Sequence, residues 1–264
     1  MNNLYEKENY LTQDRYVHGT ITEYDIQSAN INVLLRANII DQNYYNFLSN
    51  LPKYDREKEI GILHLRLLPT GIDVSKTISN ELVKYRKILF ESNNLKDEEI
   101  VRIAKDAVFV LRSYNLTNTS FDGLIFRPKM VASAMMNINK ILVFCWFNQY
   151  DQIEIETVGL GKGEQWHQNG MLTFIANTMY MIEKVSIKDA LIYTQSIYKD
   201  YIERKLPLDY YREFNSEACF NINNSLYKTL FYDGDINNID INYNLHYIRE
   251  VYSIVLNLYS QIKL

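Results

Sequence analysis

Four prolines, nine glycines, two cysteines and four histidines are all that 264 residues hold of these types. So few breakers exclude a Pro/Gly-rich or low-complexity chain and leave room for long uninterrupted helices and strands. Cys145 and Cys219 are too few for a disulfide framework or a thiolate metal cluster, so a reducing compartment is expected. Cys145 lies in the apolar run Ile141 to Phe147 and reads as a core residue. His18, His64, His167 and His246 are dispersed without zinc-ligand spacing, and neither cysteine has a histidine nearby in sequence to activate it.

Long hydrophobic runs are also missing. No apolar stretch approaches the roughly 18 residues of a membrane span, and Met1 opens onto polar residues without the apolar segment of a signal peptide. A soluble cytoplasmic protein is therefore expected, in the host cytoplasm if a phage encodes it. Basic excess is lacking too: the net charge of −4 excludes a binder whose whole surface is basic, although a local basic cleft stays open.

What is present suffices for a sizeable core, since 47% of residues are hydrophobic and 23% charged. Such a chain makes one large domain or two small ones. Heavy use of Asn, Ile, Tyr and Lys fits an AT-rich genome and points towards a phage or a low-GC bacterium.

The pattern predicts a strand over 16–26, then a helix opening at Ser28 as N-cap. Polar helices follow over 41–50 and 54–67. A longer helix over 75–92 has Ile78, Leu82, Tyr85 and Leu89 on one stripe and ends at Asn93 and Asn94. Residues 99–111 read as two apolar strands separated by Lys105-Asp106, and 125–147 as further strands with a turn at Asn137-Ile138-Asn139. Beyond Glu164 the helical period returns, with Met171, Ile175, Met179 and Ile182 on one stripe and Ala190, Thr194, Ile197 and Tyr201 on another. A last helix covers 245–262. This order predicts an α+β fold, an antiparallel sheet backed by helices with a helical C-terminal region, and excludes a parallel βαβ arrangement. The expected organisation is a sheet domain over 1–160 with a helical insert at about 41–94, then a helical region over 161–264.

Two carboxylates carry the chemistry. Asp25 closes the first predicted strand and Asp106 sits between the two strands of the 99–111 segment. Such a pair suits divalent cations that assist phosphoryl transfer. Glu23, two residues before Asp25 on the same strand face, is a third candidate ligand. Mg²⁺ or Mn²⁺ is the implied ion, because hard cations take carboxylate oxygen and need few protein ligands when water and substrate phosphate complete the shell. An ordinary role is open for each aspartate: Asp25 as a helix cap, Asp106 as a turn residue. Lys84, Arg86, Lys87, Arg127 and Lys129 are candidate phosphate contacts for nucleic acid.

Tyr24-Asp25-Ile26-Gln27-Ser28-Ala29 resembles motif A of the family B DNA polymerases, and Ala104-Lys105-Asp106-Ala107-Val108-Phe109-Val110 resembles their motif C. Arg127-Pro128-Lys129-Met130 is similar to the family's basic primer-template element. Ile153 to Leu160, and Ser186 to Glu203 with Leu206-Pro207-Leu208, resemble the approach to the thumb and its helix. The same motif order resembles that of a group of phage proteins. The resemblance spans residues 16–212 and implies a palm-like sheet with reduced fingers and a helical thumb-like region. Its implied activity is metal-dependent nucleotidyl transfer on a primer-template, with Asp25 and Asp106 as catalytic metal ligands. The chain departs from the pattern at Ala104, where the family has a first aspartate, at Ala107, and at Asn30, where it has a tyrosine; the fingers motif is half present in Lys76 to Asn80. These departures imply either a minimal polymerase, with a protein partner supplying the missing fingers, or a catalytically inactive palm used for binding or assembly.

Three other features carry less. Tyr232-Asp233-Gly234-Asp235 reads as a turn. Gly159 to Gly163 lacks the full phosphate-loop pattern and reads as a connection. Trp146 and Trp166 can stack on bases or pack in a core.

Overall fold

The computed structural model describes residues 3–160, 169–211 and 241–262. The expectations for Gly161 to Gly163, Trp166, His167, Cys219 and Tyr232 to Asp235 lie outside the described residues. The chain divides into two compact units, one of residues 1–13 and 19–131, the other of residues 14–18 and 132–264. The boundary expected at 160 thus falls inside the second unit. Two long strands, β2 (Tyr16–Ile26) and β6 (Leu124–Ile138), contribute to both.

In the first unit, β1 (Asn9–Leu11), β3 (Ile100–Ala104), β4 (Ala107–Leu111) and β2 are neighbours in that order, each pair antiparallel. A short β5 (Ser120–Phe121) pairs with the start of β6. Between β2 and β3 come four helices: α1 (Ala29–Arg36), α2 (Gln42–Ser49), α3 (Lys53–Leu67) and α4 (Val74–Ser92). Local chemistry starts two of them. The Asp41 carboxylate accepts the Tyr44 N–H at 2.7 Å, and the Asp73 carboxylate accepts the Lys76 N–H at 2.9 Å, each satisfying a donor that the first helical turn leaves open. The α4 stripe is buried as its period predicts: Leu82, Tyr85 and Leu89 pack with Tyr24, Val33, Val108 and Phe126. A second apolar cluster joins Ile31 and Leu34 of α1 to Leu48, Ile60 and Val74.

In the second unit β6, β7 (Ile141–Phe147) and β8 (Ile153–Val158) form an antiparallel ladder. Their inward residues Ala134, Met136, Val143 and Cys145 pack with Met171, Ile175 and Met179 of α5 (Asn169–Tyr180), Tyr201 of α6 (Ile187–Ile202) and Ile248, Val251 and Ile254 of α7 (Asn242–Ile262). Burial pushes the Cys145 thiol up to about 12, which makes it the inert core residue expected. The structure therefore has the predicted α+β class, an antiparallel sheet with helices and a C-terminal helix.

Two local expectations are corrected. Ser28 precedes α1 but makes no side-chain cap bond, because its backbone is left-handed (φ 50°, ψ 44°) whereas a capping serine needs extended backbone. The β6–β7 turn is Asn139-Lys140, one step later than expected. Both residues have positive φ, 50° and 73°, as the tight two-residue hairpin turn demands, and the Asn137 side chain accepts the Lys140 N–H at 3.1 Å.

Asn93, at the end of α4, is buried and joins this helix to the chain before β5. Its Oδ1 accepts the Thr117 and Asn118 N–H groups at 3.2 and 3.1 Å, and its Nδ2 donates to the Leu89 and Asn118 carbonyls at 2.9 and 2.6 Å. Asn93→Ala is expected to lower the unfolding free energy by about 2–3 kcal/mol, the cost of leaving several buried polar groups without partners. Urea denaturation checks this, with the neighbouring Asn94→Gly as control. That residue has φ 49°, so glycine should be nearly neutral there.

Candidate functional site

Antiparallel pairing of β2 with β4 runs from Ile21–Leu111 to Asp25–Ala107, so Asp25, next to last in its strand, stands opposite the residue after Asp106. Asp106 itself lies in the two-residue turn between β3 and β4, whose ladder closes at Ala104–Ala107. The Asp106 carbonyl accepts the Ile26 N–H at 3.4 Å, which ties the turn to the end of β2. Both carboxylates line one notch of about 150 Å³, with Ser28, Asn30, Lys53, Arg56 and Glu57 around them. A larger cavity of about 590 Å³ shares Asn30, Lys53, Glu57 and Asp106 with it and extends past Ile60, Ile78, Leu82 and Arg86.

Asp25 is the unusual group of the site. Its Oδ1 is buried and has no hydrogen-bond partner. Burial first, and then the charge of Asp106, push its carboxyl up to about 6; Lys129 opposes the rise and Glu23 adds to it. Glu23 is only 6% exposed and accepts a hydrogen bond from the Lys129 ammonium at 3.0 Å. Strand alternation thus brings Glu23 and Asp25 to one electrostatic neighbourhood, as expected, with Glu23 already engaged by a cation.

The remaining sequence candidates separate. Lys84 and Lys87 lie exposed on α4, paired with Glu81 and Glu91 respectively. Arg127 and Lys129 are exposed on β6. Arg86, expected with them as a surface phosphate contact, is instead 1% exposed. Its Nε donates to the Tyr5 carbonyl at 3.0 Å and its Nη1 to the Lys105 carbonyl, so it serves the interior of the first unit. Ala104, where the resemblance has an aspartate, pairs with Ala107, and Asn30, where it has a tyrosine, donates to Glu57 at 2.9 Å.

Sequence reasoning missed Lys53 and Arg56. They belong to a charged run at the start of α3 that reads as a solvated face, and only the packing of α1, α3 and α4 brings them to the carboxylates. Nothing in the local pattern marks them.

A single oxygen-donor pair is what the site offers a metal. Among the described residues no group of three or more His, Cys, Asp or Glu side chains gathers to hold an ion. The unpartnered buried Oδ1 of Asp25 beside Asp106 nevertheless fits a hard cation that keeps most of its water and takes the rest of its shell from phosphate. Among the described residues no helix is long and apolar enough to cross a membrane. The family model described as Bacteriophage PBS1 gene 130 protein matches residues 1–257. No curated protein matches the chain significantly.

The raised carboxyl of Asp25 has a thermodynamic consequence. Between the ordinary aspartate value near 3.9 and about 6, the folded state binds more protons than the unfolded state, so stability falls as pH rises through that window. Above it, charged Asp25 is a net cost to the fold. Asp25→Asn is therefore expected to raise Tm by a few degrees at pH 7.5 and to give no such gain at pH 4. Thermal melts at both pH values check the sign, and equal shifts at both would contradict it.

Proposed function

We propose that this chain, which belongs to the Bacteriophage PBS1 gene 130 protein family, is a nucleic-acid-binding protein with a metal-dependent nucleotidyl-transfer centre of DNA polymerase type at Asp25 and Asp106. The observation that carries the reading is the juxtaposition of these two carboxylates at one end of the β2–β4 ladder, with one buried oxygen of Asp25 unpartnered. Mg²⁺ or Mn²⁺ held there would supply positive charge for the transferring phosphoryl group.

The chain's own residues divide the remaining work. Asp25 and Asp106 hold the ion. Lys53 and Arg56, across the notch, meet phosphate oxygens and offset the carboxylates. Arg127, exposed on β6, contacts the backbone of a primer-template, and Lys129 keeps Glu23 neutralised next to Asp25. Asp25 must lose its proton to take the ion, so metal affinity weakens as pH falls through about 6.

A second reading is supported by the engagement of Glu23 with Lys129 and by Ala104: a site with two acidic ligands, kept for binding or assembly without turnover, its partners supplying the chemistry. Primer extension on DNA and RNA templates with Mg²⁺ and Mn²⁺ separates the two. The transferase reading expects incorporation by the wild type and a loss of at least about a hundredfold in Asp25→Asn and Asp106→Asn, the order seen when preorganised charge stabilisation is removed. Absence of incorporation by the wild type on every template would leave the binding module.

Nucleic-acid binding has its own signature. Arg127→Ala is expected to flatten the plot of log affinity against log salt by about 0.9, the contribution of one phosphate on B-form DNA. Fluorescence anisotropy across a salt series measures the slope, and an unchanged slope removes Arg127 from the interface.

A further inference from the structure

From Arg86 we infer a positioning residue of the carboxylate site: its buried guanidinium holds the Lys105-Asp106 turn in the geometry that lets Asp106 work with Asp25. The inference rests on the reading of those two aspartates as metal ligands.

The turn needs holding. Lys105 has φ 53°, a left-handed conformation that is costly for a residue with a side chain, and no glycine relieves it. Arg86 Nη1 donates to the carbonyl of this same residue. Its Nε donates to the Tyr5 carbonyl at 3.0 Å, and the Lys105 N–H donates to the Glu8 carbonyl at 2.9 Å. One side chain on α4 therefore clamps the N-terminal segment and the Asp106 turn together. A planar fork can do this with fixed angles; an ammonium on a flexible stem cannot.

A purely structural role explains Arg86 poorly. Burying a guanidinium is costly, and here burial lowers its basicity while the charges of Glu8 and Asp106 support it. Its Nη2 is also buried and has no hydrogen-bond partner. A well-packed apolar side chain would suit a stabilising role better. The retained cation lies in the wall of the cavity that Asp106 also lines, where its fork orients the turn and its charge faces the carboxylate.

Manganese binding, followed by electron paramagnetic resonance on the whole chain, tests this without reference to activity. Arg86→Lys keeps the charge and loses the fork. It is expected to weaken Mn²⁺ binding about tenfold, the lower end of the range for residues that orient a ligand. Asn93→Ala, which destabilises the same unit away from the turn, is expected to leave Mn²⁺ affinity unchanged. A folded Arg86→Lys protein with wild-type affinity, or an equal loss in Asn93→Ala, overturns the inference while leaving the metal site standing. Failure of the wild type to bind Mn²⁺ removes the metal reading itself, and the inference with it. Should Arg86→Lys not fold, the wild type decides: addition of Mg²⁺ is expected to move the NMR signal of the Arg86 Nε–H group, and a signal that stays put at saturation overturns the inference.

Discussion

The register of β2 against β4 is the constraint on which the candidate site depends. Because Asp25 faces Ala107 at the last rung of the ladder, it stands beside Asp106 in the turn of the neighbouring hairpin. A slip of one residue would send every side chain of β2 to the opposite face, burying Glu23 and Asp25 in the apolar cluster and exposing Tyr24 and Ile26. Tyr24 and Ile26, each no more than 2% exposed, forbid that slip. Tyr24 adds a polar lock, since its hydroxyl accepts the Leu116 N–H at 2.8 Å. Hydrophobic burial on one face of the strand thus determines where the charges on the other face stand.

That other face carries more negative charge than positive. Glu23 resolves the conflict by pairing with Lys129, whereas Asp25 resolves it by clinging to a proton until about pH 6. The difference follows from position: Glu23 has the reach to meet an ammonium on β6, and the shorter Asp25 stands near the end of its strand beside Asp106. A fold selected for stability alone would place an asparagine at 25. Two adjoining carboxylates at this position fit the proposed site, whose counter-charge would arrive with a ligand.

Much of this was legible in the sequence because the governing signals are short-range. Alternation gives β2 its bounds at 16 and 26, the stripe Leu82, Tyr85, Leu89 gives α4 its buried face, and the apolar pair flanking Lys105-Asp106 gives the hairpin. Asp25 and Asp106 stood out for the same reason, as charges at the edges of apolar strands. Arg86 did not, since its neighbours Lys84 and Lys87 are exposed and nothing local tells which of three cations on one helix turns inward. Only the stripe could have hinted at it, for Arg86 follows Tyr85 and shares the inward side with Leu82 and Leu89. Lys53 and Arg56 were illegible for a different reason: the approach of α3 to the carboxylates is a tertiary event. Ser28 shows propensity overridden, where the sharp exit from β2 forces a left-handed backbone on a residue that reads as a cap.

Two of the left-handed residues of the first unit lie close to the two aspartates. Left-handed Ser28 follows Asp25 by three residues, and left-handed Lys105 precedes Asp106 by one. Each conformation is costly for a residue with a side chain, and Ser28 lines the same notch as the two aspartates. The apolar clusters around Tyr24, Leu89 and Phe126 and around Ile31, Leu34 and Ile60 supply the stability that lets such turns persist. Glycine at either position would relieve the strain, but it would also widen the range of backbone angles the turn can adopt and loosen the aspartate's aim. On the metal-site reading proposed above, such a rigid, slightly strained frame is what two adjoining carboxylates need, since a ligand set has to be held before an ion arrives.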